Sequence, residues 1–146
     1  MAPTRAQLLE TAIALVEAFE TWTIDALLAK RSTKSTQHFL PESLGRSAQD
    51  IDGFRRHIEF LMPLVPDGFK VNARYKEPMV DEAARKVAVF AKCSANTVAG
   101  PYHNEYIFII HLNEDGTLAD KVEEFLDSSL VRELESRLAA FEEQKP

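Results

Sequence analysis

The stretch from Thr97 to Ser129 constrains the fold most, because it consists of two long strand-like runs joined by a single turn. The turn is Asn113–Gly116 (NEDG), with asparagine first and glycine fourth. This order is typical of a type I turn followed by a left-handed glycine. It predicts a three-residue hairpin loop that Asn113 and Thr117 close.

The register of this hairpin decides which side chains share a face, because side chains alternate along a strand. The predicted loop sets Tyr106 opposite Glu124 and Phe108 opposite Val122. One face then carries Tyr102, Asn104, Tyr106, Phe108, Ile110, Leu112, Val122, Glu124 and Leu126. It is mostly apolar, with a carboxylate and a phenol facing each other within it. A two-residue Asp-Gly turn would instead shift the pairing by one residue and move Glu124 to the other face.

Composition restricts the class of protein. A chain of 146 residues fits one domain, residues 1–146, with a sizeable core. The net charge of -6 argues against nucleic acid and anionic membranes as partners. Cys93 has no cysteine partner, and Glu10 and Glu17 interrupt the N-terminal apolar residues. We therefore expect no disulfide, no signal peptide and a cytoplasmic protein.

The first half of the chain is predicted to be helical. Thr4 and Gln7 have the spacing of a capping box before an apolar helical stripe. A short second helix is expected to begin near Thr21 or Thr23. The polar stretch 30–46 has no clear periodicity, which predicts an ordered loop, and such loops often carry function.

A third helix should follow, capped by Ser47, with apolar residues from Ile51 to Met62. The second half is rich in β-forming residues and predicts about four antiparallel strands over residues 69–126. Ser128 or Ser129 is expected to cap a last helix. Helices followed by an antiparallel meander indicate the α+β class. A strongly bent sheet around the early helices would form a cone with a cavity.

The order of elements resembles the cone-shaped, NTF2-like (SnoaL-like) superfamily. Three segments, GPYHNEY (100–106), VEEFLDS (122–128) and FLPESLGR (39–46), resemble small fungal enzymes of natural-product pathways. These are the isomerases of meroterpenoid clusters such as terretonin and austinol, and the brevianamide-pathway enzyme that steers a semipinacol rearrangement. The likeness to bacterial ketosteroid isomerases is poorer, because the first helix lacks a tyrosine.

The resemblance implies that Arg31, Tyr102, Tyr106 and Glu124 line the pocket and carry the chemistry. A carboxylate facing an apolar cavity has a raised pKa, which suits it to move protons near neutral pH. The two phenols would stabilise negative charge on a substrate oxygen. Arg31 would either keep Glu124 ionised or bind a substrate oxygen.

Each of these residues also has a structural interpretation. Glu124 could lie on a solvent face beside Lys121 or Arg74, the tyrosines could be core aromatics, and Arg31 could be a surface residue. Further candidates for substrate contact or pocket shape are His38, Phe54, Met62, Asn104, Phe108 and Leu126. The four histidines show no metal-ligand spacing, and no cofactor fingerprint occurs, so neither metal nor cofactor is expected.

The opposite face of the hairpin carries Ile107, Ile109 and Phe125, which predicts a homodimer through that face. The sequence as a whole predicts a cofactor-independent isomerase or cyclase of fungal secondary metabolism. Its substrate would be a hydrophobic, polycyclic, carbonyl-bearing small molecule, a meroterpenoid or an indole alkaloid. The alternatives are a dehydratase with the same pocket and a non-catalytic dimeric binding or scaffold domain.

Overall fold

A computed structural model describes residues 1–145 and confirms the α+β class. Helices pack against a curved, unclosed sheet, and a C-terminal helix follows it. The helices are α1 (Arg5–Thr21), α2 (Ile24–Leu28), α3 (Ile51–Leu61) and α4 (Ser128–Glu143), with 3₁₀ turns at Glu42–Leu44 and Met62–Leu64. The strands are β1 (Arg31–Leu40), β2 (Phe69–Asn72), β3 (Met79–Asp81), β4 (Lys86–Thr97), β5 (Gly100–Leu112) and β6 (Ala119–Leu126).

Helix α1 begins with the predicted capping box. The Thr4 hydroxyl accepts from the Gln7 backbone N–H, and the Gln7 side chain accepts from the Thr4 N–H. A buried stripe that includes Leu8 and Val16 packs against the sheet. Thr11 donates its hydroxyl proton to the Gly116 carbonyl at 2.6 Å, which ties α1 to the hairpin loop.

The sheet has six strands in the order β1-β6-β5-β4-β2, and β3 pairs with the other end of β4. All pairs are antiparallel except β1 with β6, which is parallel. The predicted meander of about four strands therefore missed one edge of the sheet. A parallel partner cannot come from a neighbouring hairpin, so local pattern does not reveal it.

The prediction of a loop over residues 30–46 was wrong. Residues 31–40 form β1, and only a short 3₁₀ turn follows it. The strand was hidden because its sequence is polar, although Arg31, Ser35 and Gln37 are buried. Gln37 also exchanges both backbone hydrogen bonds with Gln49, which holds the next segment against the strand.

The predicted hairpin register was wrong by two residues, but the predicted face was right. Asn113 pairs with Leu118 rather than Thr117, so the loop is one residue longer. Asp120 is then an extra residue between the pairs Leu112–Ala119 and His111–Lys121. The longer loop and the extra residue each shift the pairing by one residue, so together they leave every side chain on its predicted face. Gly116 has the expected left-handed conformation, with φ of 74°.

Two predicted helix caps were also wrong. Asp50, not Ser47, caps α3 by accepting from the Gly53 N–H at 2.7 Å. Asp127, not Ser128 or Ser129, caps α4. A carboxylate accepts strongly at either position, and the serines differ from it by only one to three residues. None of the helices in residues 1–145 has the length and apolar character needed to cross a membrane.

Candidate active site

The concave side of the sheet encloses a cavity of about 120 Å³. Its floor consists of residues from β4, β5 and β6, and its walls come from α3, the end of α1 and the inner face of α4. The predicted residues that line it are Phe54, Tyr102, Tyr106, Phe108, Glu124 and Leu126. Six of the predicted residues therefore lie together around one cavity.

Glu124 lies on the floor and is buried, with 9% of its surface exposed. Phe108 faces it on β5 and Phe39 faces it on β1, so aromatic side chains flank it on both strands. Burial raises the pKa of Glu124 to about 7, against the opposing effect of the Arg31 and Arg46 charges. A carboxyl group with this pKa can both accept and release a proton at neutral pH.

Arg31 does not line the cavity. Its Nη1 donates to Gln37 Oε1 at 2.6 Å and its Nε donates to the Leu27 carbonyl at 3.1 Å, while the guanidinium lies 3.9 Å from the Phe54 ring centroid. Gln37 Nε2 in turn lies 3.5 Å from Glu124 Oε1. Gln37, a buried residue that sequence reasoning missed, therefore lies between Arg31 and Glu124, and the charge of Arg31 attracts that of Glu124 directly.

Burial lowers the pKa of Arg31 to about 10, partly offset by attraction to Glu124, so the guanidinium stays charged at neutral pH.

The two tyrosines form a hydrogen-bonded pair on the cavity floor. Their hydroxyl oxygens are 2.9 Å apart, and Asn104 Nδ2 donates to Tyr102 Oη at 2.8 Å. Burial raises the pKa of both phenols, so each keeps its proton at neutral pH and can donate a hydrogen bond. Tyr106 faces Leu126 rather than Glu124, which is its diagonal neighbour on the same face.

Three other predicted substrate contacts do not reach the cavity. Asn104 binds Tyr102 and the Asp127 backbone, so it holds the tyrosine and the start of α4. Met62 packs against the cluster of Leu27, Phe54 and Ile58 but does not itself line the cavity. His38 points away from the cavity because it alternates with the inward-facing Gln37 and Phe39 on β1.

Arg46 and His57 also line the cavity, although neither was predicted to be a site residue. The His57 ring packs edge-on against Phe39, with centroids 5.5 Å apart. Burial and the nearby Arg46 charge lower the pKa of His57, so its imidazole is neutral at pH 7. Arg46 belongs to the segment FLPESLGR, which was noted only for its resemblance to fungal enzymes.

Within residues 1–145, no three or more histidine, cysteine, aspartate and glutamate side chains are grouped so that they could hold a metal ion. Burial raises the pKa of the cavity-lining Cys93 to about 12, which keeps the thiol protonated. Acid–base and hydrogen-bonding groups therefore dominate the polar lining.

A curved sheet with helices on its concave side, and a cavity between them with an acid and two phenols on its floor, defines a cone-fold protein. No family model matches the sequence. Austinoid biosynthesis clusters protein J of Penicillium brasilianum is 35% identical over 96% of this chain and 81% of its own. Austinoid biosynthesis cluster protein F of Aspergillus calidoustus is 33% identical, over 96% and 80%.

The solved structures that are similar to this chain include another fungal protein. BvnE pinacolase from Penicillium brevicompactum has a TM-score of 0.88 and 30% identity, covering 93% of this chain and 96% of its own. A putative SnoaL-like polyketide cyclase from Shewanella denitrificans shares the fold alone, with a TM-score of 0.72, 8% identity and coverage of 90% and 99%. The chain belongs to the family of the fungal austinoid biosynthesis cluster proteins J and F, and it has the cone fold that the SnoaL-like cyclase also has.

Proposed function

We propose that this protein is a cofactor-independent isomerase or cyclase that moves a proton on a polycyclic, carbonyl-bearing fungal metabolite. The observation that carries the proposal is Glu124, a buried carboxyl group on the cavity floor whose pKa is about 7. A general base works best when its pKa lies near the operating pH. Burial at this position does not stabilise a carboxylate that has only a structural role, because burial disfavours the charged form.

In the proposed reaction, ionised Glu124 takes a proton from the substrate, from a carbon next to a carbonyl or from a hydroxyl group. After loss of a proton next to a carbonyl, the electron pair forms an enolate with negative charge on oxygen. After loss of a hydroxyl proton, a new C=O bond forms while a carbon–carbon bond breaks and re-forms at an adjacent carbonyl carbon, whose oxygen takes the negative charge. One phenol of the Tyr102–Tyr106 pair donates its hydrogen bond to the developing oxyanion, while the other donates to the oxygen of its partner. Glu124 then returns the proton at a different position, so the reaction is an isomerisation overall.

Arg31 and Gln37 position the acid rather than touch the substrate. The guanidinium is buried behind Gln37 and Phe54, and its charge lowers the pKa that burial raises. Without this charge, the pKa of Glu124 would be higher and less of the carboxyl group would be ionised at neutral pH. The charge of Arg31 thus brings the pKa of Glu124 closer to neutral pH.

A polycyclic substrate fits this cavity only if part of the wall moves. The cavity volume of 120 Å³ is below the roughly 300–1,000 Å³ that is common for ligand sites. Helix α4 contributes Val131, Leu134 and Leu138 to the lining. Its polar links run to Ser43 in the first 3₁₀ turn, to Arg46 just after that turn, and to Ala99 between β4 and β5. We propose that a polycyclic substrate enters by displacing this helix.

The relatives favour a rearrangement over the alternatives. A pinacolase and austinoid cluster proteins are similar over nearly the whole chain. A cavity that reaches Glu124 supports an enzyme, whereas its volume of about 120 Å³ is smaller than the several hundred Å³ expected of an open active site and keeps the scaffold domain as the alternative.

Exchange of hydrogen in D₂O tests the chemistry before the natural substrate is known. Carbonyl-bearing meroterpenoids and indole alkaloids are incubated with the wild type and with Glu124→Gln, and deuterium uptake and products are followed by mass spectrometry. The wild type should incorporate deuterium or rearrange one of them, and Glu124→Gln should do neither. Exchange that survives in Glu124→Gln contradicts the proposal, and loss of water from the product favours a dehydratase.

Chelation in the same assay tests cofactor independence. Activity should survive exhaustive treatment with EDTA followed by dialysis. Loss of activity that a divalent metal restores would contradict this part of the proposal.

We also propose that the outer face of the hairpin pairs two protomers. Phe125 is 47% exposed on that face, beside the half-buried Ile107 and Ile109. A large exposed aromatic residue in an apolar patch is typical of an interaction surface. Face-to-face pairing of two identical patches would form a twofold dimer.

A further inference from the structure

Arg46 is the only arginine or lysine that lines the cavity in residues 1–145. Its Nη2 donates to Glu135 Oε1 on α4 at 2.8 Å, and its guanidinium carbon lies 5.4 Å from the Phe39 ring centroid. Its side chain is 31% exposed. The residue therefore stands at the rim, where the cavity meets solvent.

Arg31 cannot serve this purpose, although the resemblance assigned it to the pocket. Its Nη1 donates to Gln37 and its Nε to the Leu27 carbonyl, its Nη2 is buried without a partner, and the Phe54 ring covers the guanidinium. A substrate oxygen could reach it only if this buried arrangement came apart. Arg31 is therefore buried away from the cavity, whereas Arg46 is partly exposed at its rim.

The Arg46 guanidinium has donors to spare. It carries five N–H groups, and within the described residues one of them is used, in the bond to Glu135. Glu135 is about half exposed, and ion pairs between exposed side chains contribute little. An anionic oxygen of a ligand can therefore replace or join Glu135 at small cost, in the bidentate geometry that guanidinium groups favour.

The positions of charge in the cavity define the ligand that fits. Arg46 lowers the pKa of both Glu124 and His57, so its charge acts across the cavity. Most of the remaining wall is apolar, with Trp22, Phe69 and Leu134 among its members. A matching ligand has an apolar body and one anionic oxygen at the end that lies at the rim.

We propose that Arg46 binds an anionic oxygen of the substrate, a carboxylate or an enolate, and so selects apolar substrates that carry one acidic group. The inference rests on the proposed function, in that it takes this cavity as the substrate site. It assigns to Arg46 a binding role that is separate from proton transfer by Glu124.

Benzoate and benzamide test this role, because they share shape and differ in charge. Their dissociation constants are measured by NMR titration at about pH 6, where benzoate is ionised and Glu124 is largely protonated. The wild type should prefer benzoate by about tenfold, the scale of one charge-assisted hydrogen bond. Arg46→Gln should remove the preference, and Glu135→Gln should increase it by freeing the guanidinium.

Arg132→Gln is the matched control. Arg132 also links α4 to the 3₁₀ segment, through Nη2 and the Ser43 carbonyl at 2.6 Å, but it does not line the cavity. It should keep the preference for benzoate. The proposal is overturned if the wild type shows no preference, if Arg46→Gln retains it, or if Arg132→Gln loses it equally.

Glu124→Gln separates the failure of this inference from failure of the proposed function. It should lose hydrogen exchange in D₂O and still prefer benzoate. Exchange that persists in Glu124→Gln would refute the proposed chemistry and leave the role of Arg46 intact. A normal loss of exchange, with no effect of Arg46→Gln on the probes, would refute only the role of Arg46.

Discussion

Glu123 and Glu124 are neighbours in sequence, yet the two faces of β6 give them opposite properties. Glu124 lies inside, between Phe39 and Phe108, and burial raises its pKa to about 7. Glu123 lies outside, where partial burial favours a higher pKa, but the hydrogen bond from His111 and nearby positive charges outweigh it and lower the pKa.

The contrast extends to the partners of each residue. Outside, His111 Nε2 lies 2.6 Å from Glu123 Oε1, and both side chains are about one-quarter exposed. Inside, the side-chain contact of Glu124 within the described residues is the 3.5 Å approach of Gln37. A carboxylate with a close partner and water is a structural group, whereas a desolvated one with a distant partner remains available to a substrate.

The largest expected effect is on turnover. Glu124→Gln keeps the shape of the side chain but removes the proton acceptor, so turnover should fall at least about a hundredfold. Glu123→Gln makes the same chemical change one residue away, on the other face, and should stay close to wild type. Rates and product ratios on the identified substrate provide the measurement. Equal losses of turnover in both variants would contradict the proposal that the reaction takes place on the inner face of β6.

Stability should separate the two residues next. The pKa of Glu124 rises on folding from 4.5 to about 7, so between these values the native state holds a proton that the unfolded chain releases. Stability therefore falls as pH increases through this window, by about 3 kcal/mol in total from a shift of about 2.5 units.

Glu124→Gln removes this dependence. Its free energy of unfolding at about pH 8 should exceed that of the wild type by about 1–3 kcal/mol, less than the full amount because Arg31 loses an attractive charge. Glu123→Gln should have the opposite sign, because a lowered pKa stabilises the native state above it. Urea unfolding at several pH values checks both, and a destabilised Glu124→Gln at high pH would contradict the assignment.

Assembly tests the outer face. Ile109→Lys introduces a charge into the proposed interface, and burying it unpaired should weaken the dimer at least about tenfold. Phe60→Lys is the control, since Phe60 is 67% exposed on α3 and lies outside the hairpin. Analytical ultracentrifugation over a concentration series gives the dissociation constants. A monomeric wild type, or equal effects of the two lysines, would refute the interface.

The smallest effect is expected at Tyr106. Tyr106→Phe removes one hydroxyl donor, but Tyr102 lies within 2.9 Å and still donates, so turnover should fall by about tenfold rather than a hundredfold. Tyr75→Phe, at an exposed position, should leave turnover unchanged. A loss in Tyr106→Phe as large as in Glu124→Gln would indicate that the phenol itself carries the proton.

The sequence predicted the floor of the site because that floor is encoded locally. Tyr102, Tyr106, Phe108, Glu124 and Leu126 alternate along two strands joined by a short loop, and alternation survives a register error of two residues. The fold class followed from the same patterns.

The rest depended on β1, which local pattern does not reveal. Its buried residues include Arg31, Ser35 and Gln37, so hydrophobic alternation is weak, and its parallel partner is far away in sequence. With β1 interpreted as a loop, His38 could not be assigned to the outer face, nor Gln37 to its place between Arg31 and Glu124.

Because Asp120 is an extra residue in β6, the face on which Glu124 lies depends on whether the number of residues between it and β5 is odd or even. Asp120 is held by Ser32 at 2.6 Å and by Lys34 at 3.5 Å, so β1 fixes the position of the bulge. Deleting one residue from the hairpin loop, with the bulge in place, would turn Glu124 outwards and leave every residue of β6 chemically unchanged. An insertion of two residues in the loop would preserve its face. In related chains, loop lengths that differ by even numbers are therefore compatible with the same chemistry, and odd differences require a compensating bulge.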